Sequence, residues 1–506
     1  MAALRIILVN PSNPKNFVAN KDAAGGFGVL LPRGELGFPP LSLLYSAAVL
    51  EEDGFCVGLM DCNVLNLDEK AALRYCDSFD PDVIVVLTSV QTFDQDCNLM
   101  RLLKGRVGDA VIVAIGPVLK FFQERFFQLS SADCGVFAEP EGVLPVLVHK
   151  ICRGEDMTPV KGVFFRHNGK VISTGDAPLI QNLEELPYPA WHLLPQPVRY
   201  TFTISSSRGC PHGCFYCPYI VSQGKQYRCR NPQSVVDEML YLEKEFNARL
   251  IQFRDPIFTF LKERTRGICN LIVERGMKVN WVIETRPEYL DFELLELLAR
   301  AGCRKIVFGV ESGNERILNK MGRLLPSFSA ETYLTHVKAI TKKAKSVGIA
   351  QLPLFMLGLP DEDWNSAMDT INFAKELATD AQFSLLSPYP GTAFFEMAHN
   401  EGLVVEDDFS EMTTLSKAVT CTKHLTRQEL EKLVKMANNE LYAAIALKTI
   451  SRGDFKNAAT HFSHFLDSRE KMSFARKDLY ILIKFLEQIS KKTKVTPCRN
   501  DYDEEA

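Results

Sequence analysis

The hydrophobic pattern of residues 1–150 alternates short apolar runs with amphipathic stretches. Apolar runs predict strands at Arg5–Asn10, Cys56–Asp61, Asp82–Ser89, Ala110–Gly116 and Val136–Ala138. A helix is predicted from Leu41 to Asp53, just after two prolines that suit a helix start. The run Val83-Ile84-Val85-Val86 shows no polar alternation, which is typical of parallel strands buried on both faces. The pattern therefore predicts a doubly wound α/β domain, Rossmann-like, whose ligands lie beyond the carboxyl ends of its strands.

Residues 201–400 repeat a strand followed by a helix about six times. The predicted strands are Thr201–Ser207, Arg249–Arg254, Asn280–Thr285, Lys305–Val310, Ile349–Leu357 and Gln382–Ser387. Between them, apolar residues recur at helical spacing, as in Ser234–Phe246. Six such units predict a partial (β/α)6 TIM-like barrel, whose chemistry gathers at the carboxyl ends of the strands.

The regions that flank the barrel differ from it in composition. Residues 151–200 are rich in turn residues, and we predict an irregular linker there. After residue 400 the pattern predicts helices at Thr426–Leu447, Asp454–Phe465 and Phe474–Ile489. We therefore expect a helical C-terminal domain over 401–495 and a disordered acidic tail over 496–506.

Composition narrows the functional class. The chain has 506 residues, 46% of them hydrophobic and 24% charged, as expected for a globular protein with several domains. A net charge of −4 gives no electrostatic case for nucleic acid binding. No apolar run is long enough to span a bilayer, and the N-terminus runs directly into a strand instead of a targeting peptide. Fourteen cysteines are too sparse for a disulfide framework, so we expect a reducing cytoplasm.

Three cysteines lie in one short loop after the first barrel strand. Cys210, Cys214 and Cys217 have the spacing C-x3-C-x2-C. Three thiolates can hold three irons of a [4Fe-4S] cube and leave the fourth iron open, whereas clusters that only carry electrons normally have four cysteines. A structural zinc site is the alternative, and it needs a fourth ligand such as His212 or Cys229.

This loop and its surroundings resemble the radical S-adenosylmethionine (SAM) superfamily, and in particular its members with an N-terminal cobalamin-binding domain. The resemblance covers about residues 1–400. Besides the cysteines, it rests on segments at the ends of predicted strands: Phe253–Pro256, Glu284–Arg286, Phe308–Gly313, Phe355–Pro360 and Pro388–Thr392. It implies a [4Fe-4S] cluster on Cys210, Cys214 and Cys217, with SAM bound at the open iron and cleaved to a 5′-deoxyadenosyl radical.

The resemblance also implies a set of SAM-binding residues. Tyr216 would lie against the adenine, while Glu284 and Glu311 would accept hydrogen bonds from the ribose hydroxyls. Arg286 would pair with the SAM carboxylate. Asp255 would hold the ammonium, although the glycine-rich acidic motif of relatives is absent. Loop packing is the alternative for Tyr216, and an internal ion pair with Glu284 or Glu311 is the alternative for Arg286. The full set is Tyr216, Asp255, Glu284, Arg286, Glu311 and Ser312.

For the first domain the resemblance implies cobalamin. Many cobalamin proteins carry D-x-H-x-x-G, whose histidine binds cobalt from below, but this chain reads Asp61-Cys62-Asn63-Val64-Leu65-Asn66. We therefore expect cobalamin without a histidine ligand. Gly116-Pro117 stands where relatives show Gly-Gly, and Glu139–Gly142 replaces a glycine-rich acidic turn. The alternative is a domain that docks on the barrel with its pocket empty. The predicted cobalamin-binding residues are Asp61, Asn63, Ser89, Gln91, Thr92 and Gly116.

The resemblance leaves three functions to compare. The leading hypothesis is a cobalamin-dependent methyltransferase that methylates an unactivated carbon by radical methyl transfer. A second enzyme would catalyse a rearrangement, cyclisation or carbon–carbon bond formation, and a third protein would be a catalytically silent corrinoid-binding protein. A methylthiotransferase is disfavoured because the N-terminal cysteines are scattered. The expected partners are a small-molecule or biosynthetic-intermediate substrate and an electron donor such as flavodoxin or ferredoxin.

Overall fold

The computed structural model describes residues 4–450, apart from 13, 15, 16, 33–35 and 378. The helices predicted at Asp454–Phe465 and Phe474–Ile489 and the acidic tail 496–506 lie outside the described residues. Within those residues, no helix combines the length and hydropathy needed to cross a membrane.

The N-terminal region is a doubly wound α/β unit, as predicted. Its strands are β1 (Arg5–Asn10), β2 (Phe17–Asn20), β3 (Val29–Pro32), β4 (Cys56–Asp61), β5 (Val83–Leu87), β6 (Val111–Ile115), β7 (Cys134–Val136), β8 (Val163–His167) and β9 (Lys170–Ser173). Its helices are α1 (Leu41–Glu52), α2 (Cys62–Leu65), α3 (Glu69–Phe79), α4 (Phe93–Arg106), α5 (Gln123–Leu129) and α6 (Leu144–Cys152). The main sheet has the order β4-β1-β5-β6-β7-β8-β9, in which β4 to β7 run parallel. All five residues of β5 are buried, which is why its sequence is continuously apolar.

The linker prediction for residues 151–200 is wrong over Val163–Ser173. The strands β8 and β9 lie there and extend the sheet in antiparallel fashion. Asn168 and Gly169 form the turn between them with φ of 50° and 77°, the left-handed pair that two-residue hairpin turns require. This Asn-Gly signal was present in the sequence. The strand predicted at Val136–Ala138 lies earlier, at Cys134–Val136, because a three-residue strand carries too little periodicity to set its register.

The second unit is the predicted partial barrel. Its strands are β10 (Phe202–Ile204), β11 (Ser207–Arg208), β12 (Arg228–Cys229), β13 (Leu250–Phe253), β14 (Asn280–Thr285), β15 (Cys303–Glu311), β16 (Ala350–Leu357) and β17 (Gln382–Leu385). Its helices are α7 (Tyr219–Ser222), α8 (Pro232–Glu245), α9 (Lys262–Glu274), α10 (Phe292–Arg300), α11 (Glu315–Lys320), α12 (Ala330–Ser346), α13 (Trp364–Leu377) and α14 (Ala393–Asn400), followed by α15 (Arg427–Ile450). Six strands form one parallel sheet in the order β10-β13-β14-β15-β16-β17.

The first barrel strand, β10, is shorter than predicted, and β11 and the cysteine loop follow it. Asp255 accepts hydrogen bonds from the Ser206 backbone N–H (2.7 Å) and from the hydroxyls of Ser206 and Ser207 (2.6 Å each). These bonds hold the chain out of the sheet after Ile204, and β11 pairs with β12 in antiparallel fashion instead. The cysteines therefore follow a separate two-stranded ribbon at the mouth of the barrel.

Buried ion pairs join the two units beside this ribbon. Arg208 on β11 donates to Glu139 Oε1 (3.1 Å) and to Glu141 Oε1 (2.8 Å), both on the segment between β7 and α6. Arg228 on β12 donates to Glu139 Oε2 (2.9 Å). Removal of one partner from such buried pairs is strongly destabilising. The pairs therefore fix the cysteine loop opposite the carboxyl edge of the first sheet.

Candidate active site

The cysteine loop is held by its backbone. Gly209 has φ of +81°, and a Cβ there would lie 2.1 Å from the Gln226 carbonyl oxygen, so the position requires glycine. The N–H of Cys210 donates to the Gly224 carbonyl (3.1 Å), and the N–H of Cys217 donates to the Cys214 carbonyl (3.1 Å). The backbone thus anchors both ends of the motif.

The three thiols fit a cluster better than a mononuclear metal site. Burial raises the pKa of Cys210, and it raises the pKa of Cys217 to about 12. Thiols of this kind ionise when a bound metal offsets the desolvation. Among the described residues, no three His, Cys, Asp or Glu side chains converge on one metal ion. A [4Fe-4S] cube needs no such convergence, because each thiolate binds a different iron.

Of the two candidates for a fourth zinc ligand, His212 has a side-chain partner and Cys229 is held by backbone pairing. His212 Nε2 lies 2.9 Å from the Tyr289 hydroxyl, with which it shares a hydrogen bond. Burial, reinforced by nearby Arg286, lowers the pKa of His212 to about 4, so the ring is neutral near pH 7. Cys229 lies on β12, where it pairs with Ser207 in the ribbon. The structure thus gives no support to the zinc alternative.

A buried charged network lies at the ends of β14 and β15, next to the cysteines. Arg286 interacts electrostatically with Cys210 and Cys214. Its Nη2 donates to Glu288 Oε1 (2.6 Å). The Arg323 guanidinium lies 3.8 Å from Glu288 Oε1. Burial alone would raise the pKa of Glu288, but Arg323 and Arg286 together hold it below its ordinary value.

The network leaves one donor of Arg286 without a partner. Its Nη1 is buried and makes no hydrogen bond among the described residues. A buried unsatisfied donor costs about 1–3 kcal/mol, so a carboxylate ligand beside the cysteines would be stabilised there. Arg286 therefore fits the predicted contact with the SAM carboxylate. The partner it has in the structure is Glu288, which is neither of the acids considered from the sequence.

Glu311 stands in a strained conformation at the end of β15. Its φ is +71°, and the pairing of β15 with β16 shifts register at this point. A Cβ at Gly309 would lie 2.1 Å from Glu311 Oε1, so Gly309 makes room for this carboxylate. Arg323 Nε lies 3.6 Å from Glu311 Oε1, and Tyr216 lies near enough to the same side chain to interact with it electrostatically. Left-handed non-glycine residues cost about 1–3 kcal/mol and cluster at functional sites.

Sequence reasoning missed two members of this network. Glu288 follows Arg286 by two residues in Arg-Pro-Glu, and that proximity could have identified it. Arg323 follows α11, and no motif in the neighbouring sequence marks it as a site residue. It also donates to the Gly309 carbonyl and to the Tyr333 hydroxyl, each at 2.5 Å, so it links the strained bulge to α12.

The other predicted SAM residues have partners inside the barrel. Glu284 accepts a hydrogen bond from Gln252 Nε2 (3.3 Å) and remains partly exposed. Asp255 is fully buried, and both of its carboxylate oxygens accept hydrogen bonds from Ser206 and Ser207. Ser312 is also fully buried and shares a hydrogen bond with Thr370 Oγ1 (3.0 Å). For Asp255 and Ser312 a structural role accounts for these contacts, and SAM binding by either stays a prediction.

A cleft lies between the carboxyl edge of the first sheet and the mouth of the barrel. Residues of both units line it, including Asp22, Tyr45, Gly116, Glu141, Arg208 and Arg254. Gly116 alone among the six predicted cobalamin residues lines this cleft. Its φ is +144°, and a Cβ would lie 2.6 Å from Thr88 Oγ1.

The side chains of Asp61 and Asn63 make hydrogen bonds with protein groups away from the cleft. The Asp61 carboxylate accepts hydrogen bonds from the N–H of Asn63 (3.0 Å) and from the Tyr200 hydroxyl (2.9 Å), and burial raises its pKa to about 6. Asn63 Nδ2 donates to the Ala19 carbonyl on β2 (3.3 Å). Neither residue lines the cleft, and cobalamin without a histidine ligand stays a prediction.

The three predicted residues after β5 are also buried, and each makes a hydrogen bond, although Gln91 Oε1 has no partner among the described residues. Thr92 Oγ1 donates to Asp96 Oδ2 (2.7 Å) and shares a hydrogen bond with Ser89 Oγ (2.8 Å). Gln91 Nε2 donates to the Gly28 carbonyl (3.0 Å). Asp96 forms a buried ion pair with Lys21 (2.5 Å), which lies 75 residues away and gave no signal in the sequence. Cobalamin contacts by these residues stay predictions.

Comparison with known families matches this geometry. The Radical SAM superfamily matches residues 204–374, and the B12 binding domain matches residues 33–148. The chain is therefore a radical SAM enzyme with an N-terminal B12-binding domain.

Relatives share both units. An uncharacterized methyltransferase of Pyrococcus horikoshii is 28% identical over 451 residues, which cover 87% of this chain and 93% of that protein. The anaerobic magnesium-protoporphyrin IX monomethyl ester cyclase of Synechocystis is 26% identical over 329 residues, or 62% of each chain. The fold is similar to that of the radical SAM methyltransferase TsrM from Kitasatospora setae, with a TM-score of 0.65 at 19% identity over 79% of this chain and 77% of TsrM.

Proposed function

We propose that this enzyme methylates an unactivated carbon of a small molecule or biosynthetic intermediate by radical methyl transfer. A bound cluster and SAM supply a hydrogen-abstracting radical, and bound cobalamin supplies the methyl group. One geometric observation supports this proposed function. Arg208 and Tyr219, which flank the cysteine loop on either side, line the same interdomain cleft as Gly116 at the carboxyl edge of the first sheet, so both chemistries would lie close enough to act on one substrate.

The chain's own residues would orient the reactants. Cys210, Cys214 and Cys217 would hold the cluster at the barrel mouth. The unpaired Nη1 of Arg286 would bind a ligand carboxylate, which fixes the ligand relative to the cysteines. Tyr216 and Glu311 meet beside the cysteines and would hold the nucleoside. Burial of the network excludes water, which strengthens each of these interactions.

A second function is supported by the Synechocystis relative. That protein is named a cyclase, so a relative of this chain is named for a reaction other than methyl transfer. A rearrangement, cyclisation or carbon–carbon bond formation is therefore the alternative. The methyltransferase name of the Pyrococcus relative, which aligns over most of both chains, favours methyl transfer.

Product analysis separates these functions. The protein is reconstituted anaerobically with iron, sulfide and hydroxocobalamin, then incubated with SAM, a reductant and candidate substrates. Methyl transfer produces S-adenosylhomocysteine and 5′-deoxyadenosine together, and SAM with a deuterated methyl group labels the product. The alternative enzyme produces 5′-deoxyadenosine alone. A silent corrinoid-binding protein produces neither, which would refute both catalytic functions. The Cys214→Ala variant serves as the control for cluster-independent SAM breakdown.

A further inference from the structure

Two charged side chains, one buried and one partly buried, line the interdomain cleft without a full set of hydrogen-bond partners. The first is Glu141, whose side chain is 3% exposed. Its Oε1 accepts the Arg208 hydrogen bond, but its Oε2 is buried and has no partner among the described residues. A buried carboxylate oxygen without a donor carries an uncompensated desolvation cost. The first unit therefore presents an unused acceptor to the cleft.

The second group is Arg254, which lines the same cleft from the barrel side. Its side chain is 13% exposed, and it makes no side-chain hydrogen bond within the described part of the chain. Its ion pair with Glu284 Oε1 is 3.6 Å long, beyond hydrogen-bond distance. Arg254 also interacts electrostatically with Tyr219 and Asp22, but none of its five N–H donors makes a hydrogen bond within the described part of the chain. The barrel therefore presents unused donors to the cleft.

A ligand that satisfies both walls must offer N–H donors on one side and carbonyl acceptors on the other. Primary carboxamides carry both, and the corrin ring of cobalamin is fringed by such amides. The polar side chains Ser89, Gln91 and Thr92 after β5 do not line this cleft. Ser89 and Thr92 make hydrogen bonds inside the first unit, and the unpartnered Oε1 of Gln91 lies away from the cleft.

We propose that Glu141 and Arg254 anchor cobalamin through its peripheral carboxamides. Glu141 Oε2 accepts an amide N–H, and the Arg254 guanidinium donates to an amide carbonyl. This places the cofactor contacts on two residues that the sequence analysis did not assign to cobalamin. The inference rests on cobalamin binding by the proposed function and is independent of methyl transfer.

The test measures cobalamin affinity directly. Wild-type protein, Glu141→Gln and Arg254→Met are titrated with hydroxocobalamin, and retained corrinoid is quantified by absorbance after desalting. Loss of a hydrogen bond to a charged group corresponds to at least about a tenfold weaker Kd for each variant. Iron content and Tm are measured on the same samples to show that the cluster and the fold persist.

Two kinds of control separate a direct contact from general damage. Glu139→Gln removes the neighbouring carboxylate of the same ion network, but both oxygens of Glu139 already have protein partners. It should lower Tm and leave cobalamin affinity near wild type. Glu293→Gln changes an exposed residue of α10 that lies outside the cleft, and it should also retain cobalamin.

The outcomes are distinct. Equal loss of cobalamin in Glu139→Gln and Glu141→Gln would mean that Glu141 acts only through the ion network, which overturns the proposal. Wild-type affinity in Glu141→Gln and Arg254→Met also overturns it and leaves the proposed function standing. Failure of the wild-type protein to bind cobalamin would instead refute the proposed function itself.

Discussion

Glu288 is the residue whose removal should reveal how the buried network supports the site. Its carboxylate is fully buried between two guanidinium groups, Arg286 at 2.6 Å and Arg323 at 3.8 Å. Glu288→Gln keeps the shape and removes the charge, which leaves both cations short of their common partner. Breaking a buried pair in this way costs about 3–5 kcal/mol. For a unit of this size, that corresponds to a fall in Tm of roughly 6–20 °C.

The assay is thermal unfolding of the apoprotein at pH 7, with Glu293→Gln as the matched control. Glu293 makes a similar paired contact with Arg266 (2.7 and 3.1 Å), but it does so on the exposed surface of α10. Water screens that pair, so its loss should leave Tm close to wild type. If Glu288→Gln and Glu293→Gln have the same Tm, the buried network does not stabilise the fold as its geometry indicates, and the prediction is wrong.

The pH dependence of the same pair of proteins provides a second check. Arg323 and Arg286 hold the pKa of Glu288 below its ordinary value although burial opposes them. The stability gained from this charge is therefore present at neutral pH and is lost as pH falls through the low pKa of the folded state. The Tm difference between wild type and Glu288→Gln should shrink in acid. A difference that stays constant would show that the substitution acts through packing alone.

Three further predictions concern the loop, the bulge and a buried acid. Cys210→Ser, Cys214→Ser and Cys217→Ser should each lower iron content and abolish reductive SAM cleavage, whereas Cys229→Ser should bind iron like wild type. Equal loss of iron in all four would make Cys229 a fourth cluster ligand and contradict the open iron. Gly309→Ala should displace the Glu311 carboxylate, because its Cβ would lie 2.1 Å from Oε1, and weaken SAM binding about tenfold or more while the cluster assembles; unchanged affinity would remove Glu311 from the SAM site. Burial raises the pKa of Glu362 to about 8, so wild type should lose Tm relative to Glu362→Gln as pH rises from 5 to 8, and parallel melting curves would contradict this.

Local patterns account for the parts of the fold that were predicted correctly. The buried run of β5 and the strand–helix repeat of the barrel each depend on residues two to four positions apart, so the chain shows them directly. The first barrel strand was predicted too long because its end is set by Asp255, which is about fifty residues away. The Asn168-Gly169 hairpin carried a local signal that the composition of its surroundings concealed.

The candidate site divides in the same way. The spacing of Cys210, Cys214 and Cys217 was readable because one loop supplies all three ligands. The residues that complete the network, Glu288 and Arg323, look like ordinary solvated charges in the sequence, and their shared burial exists only once β14, β15 and the segment after α11 meet.

The sequence by itself therefore determined the order of the two α/β units and the grouping of three cysteines in one loop, because short-range periodicity and spacing encode both. Only the tertiary structure decided which polar side chains face the cleft between the units. Ser89 and Thr92 turn inward to Asp96, while Glu141 and Arg254 reach the cleft from opposite walls. The physical reason is that a buried polar group takes its role from the partners that folding brings within hydrogen-bond distance, and these partners lie far away along the chain.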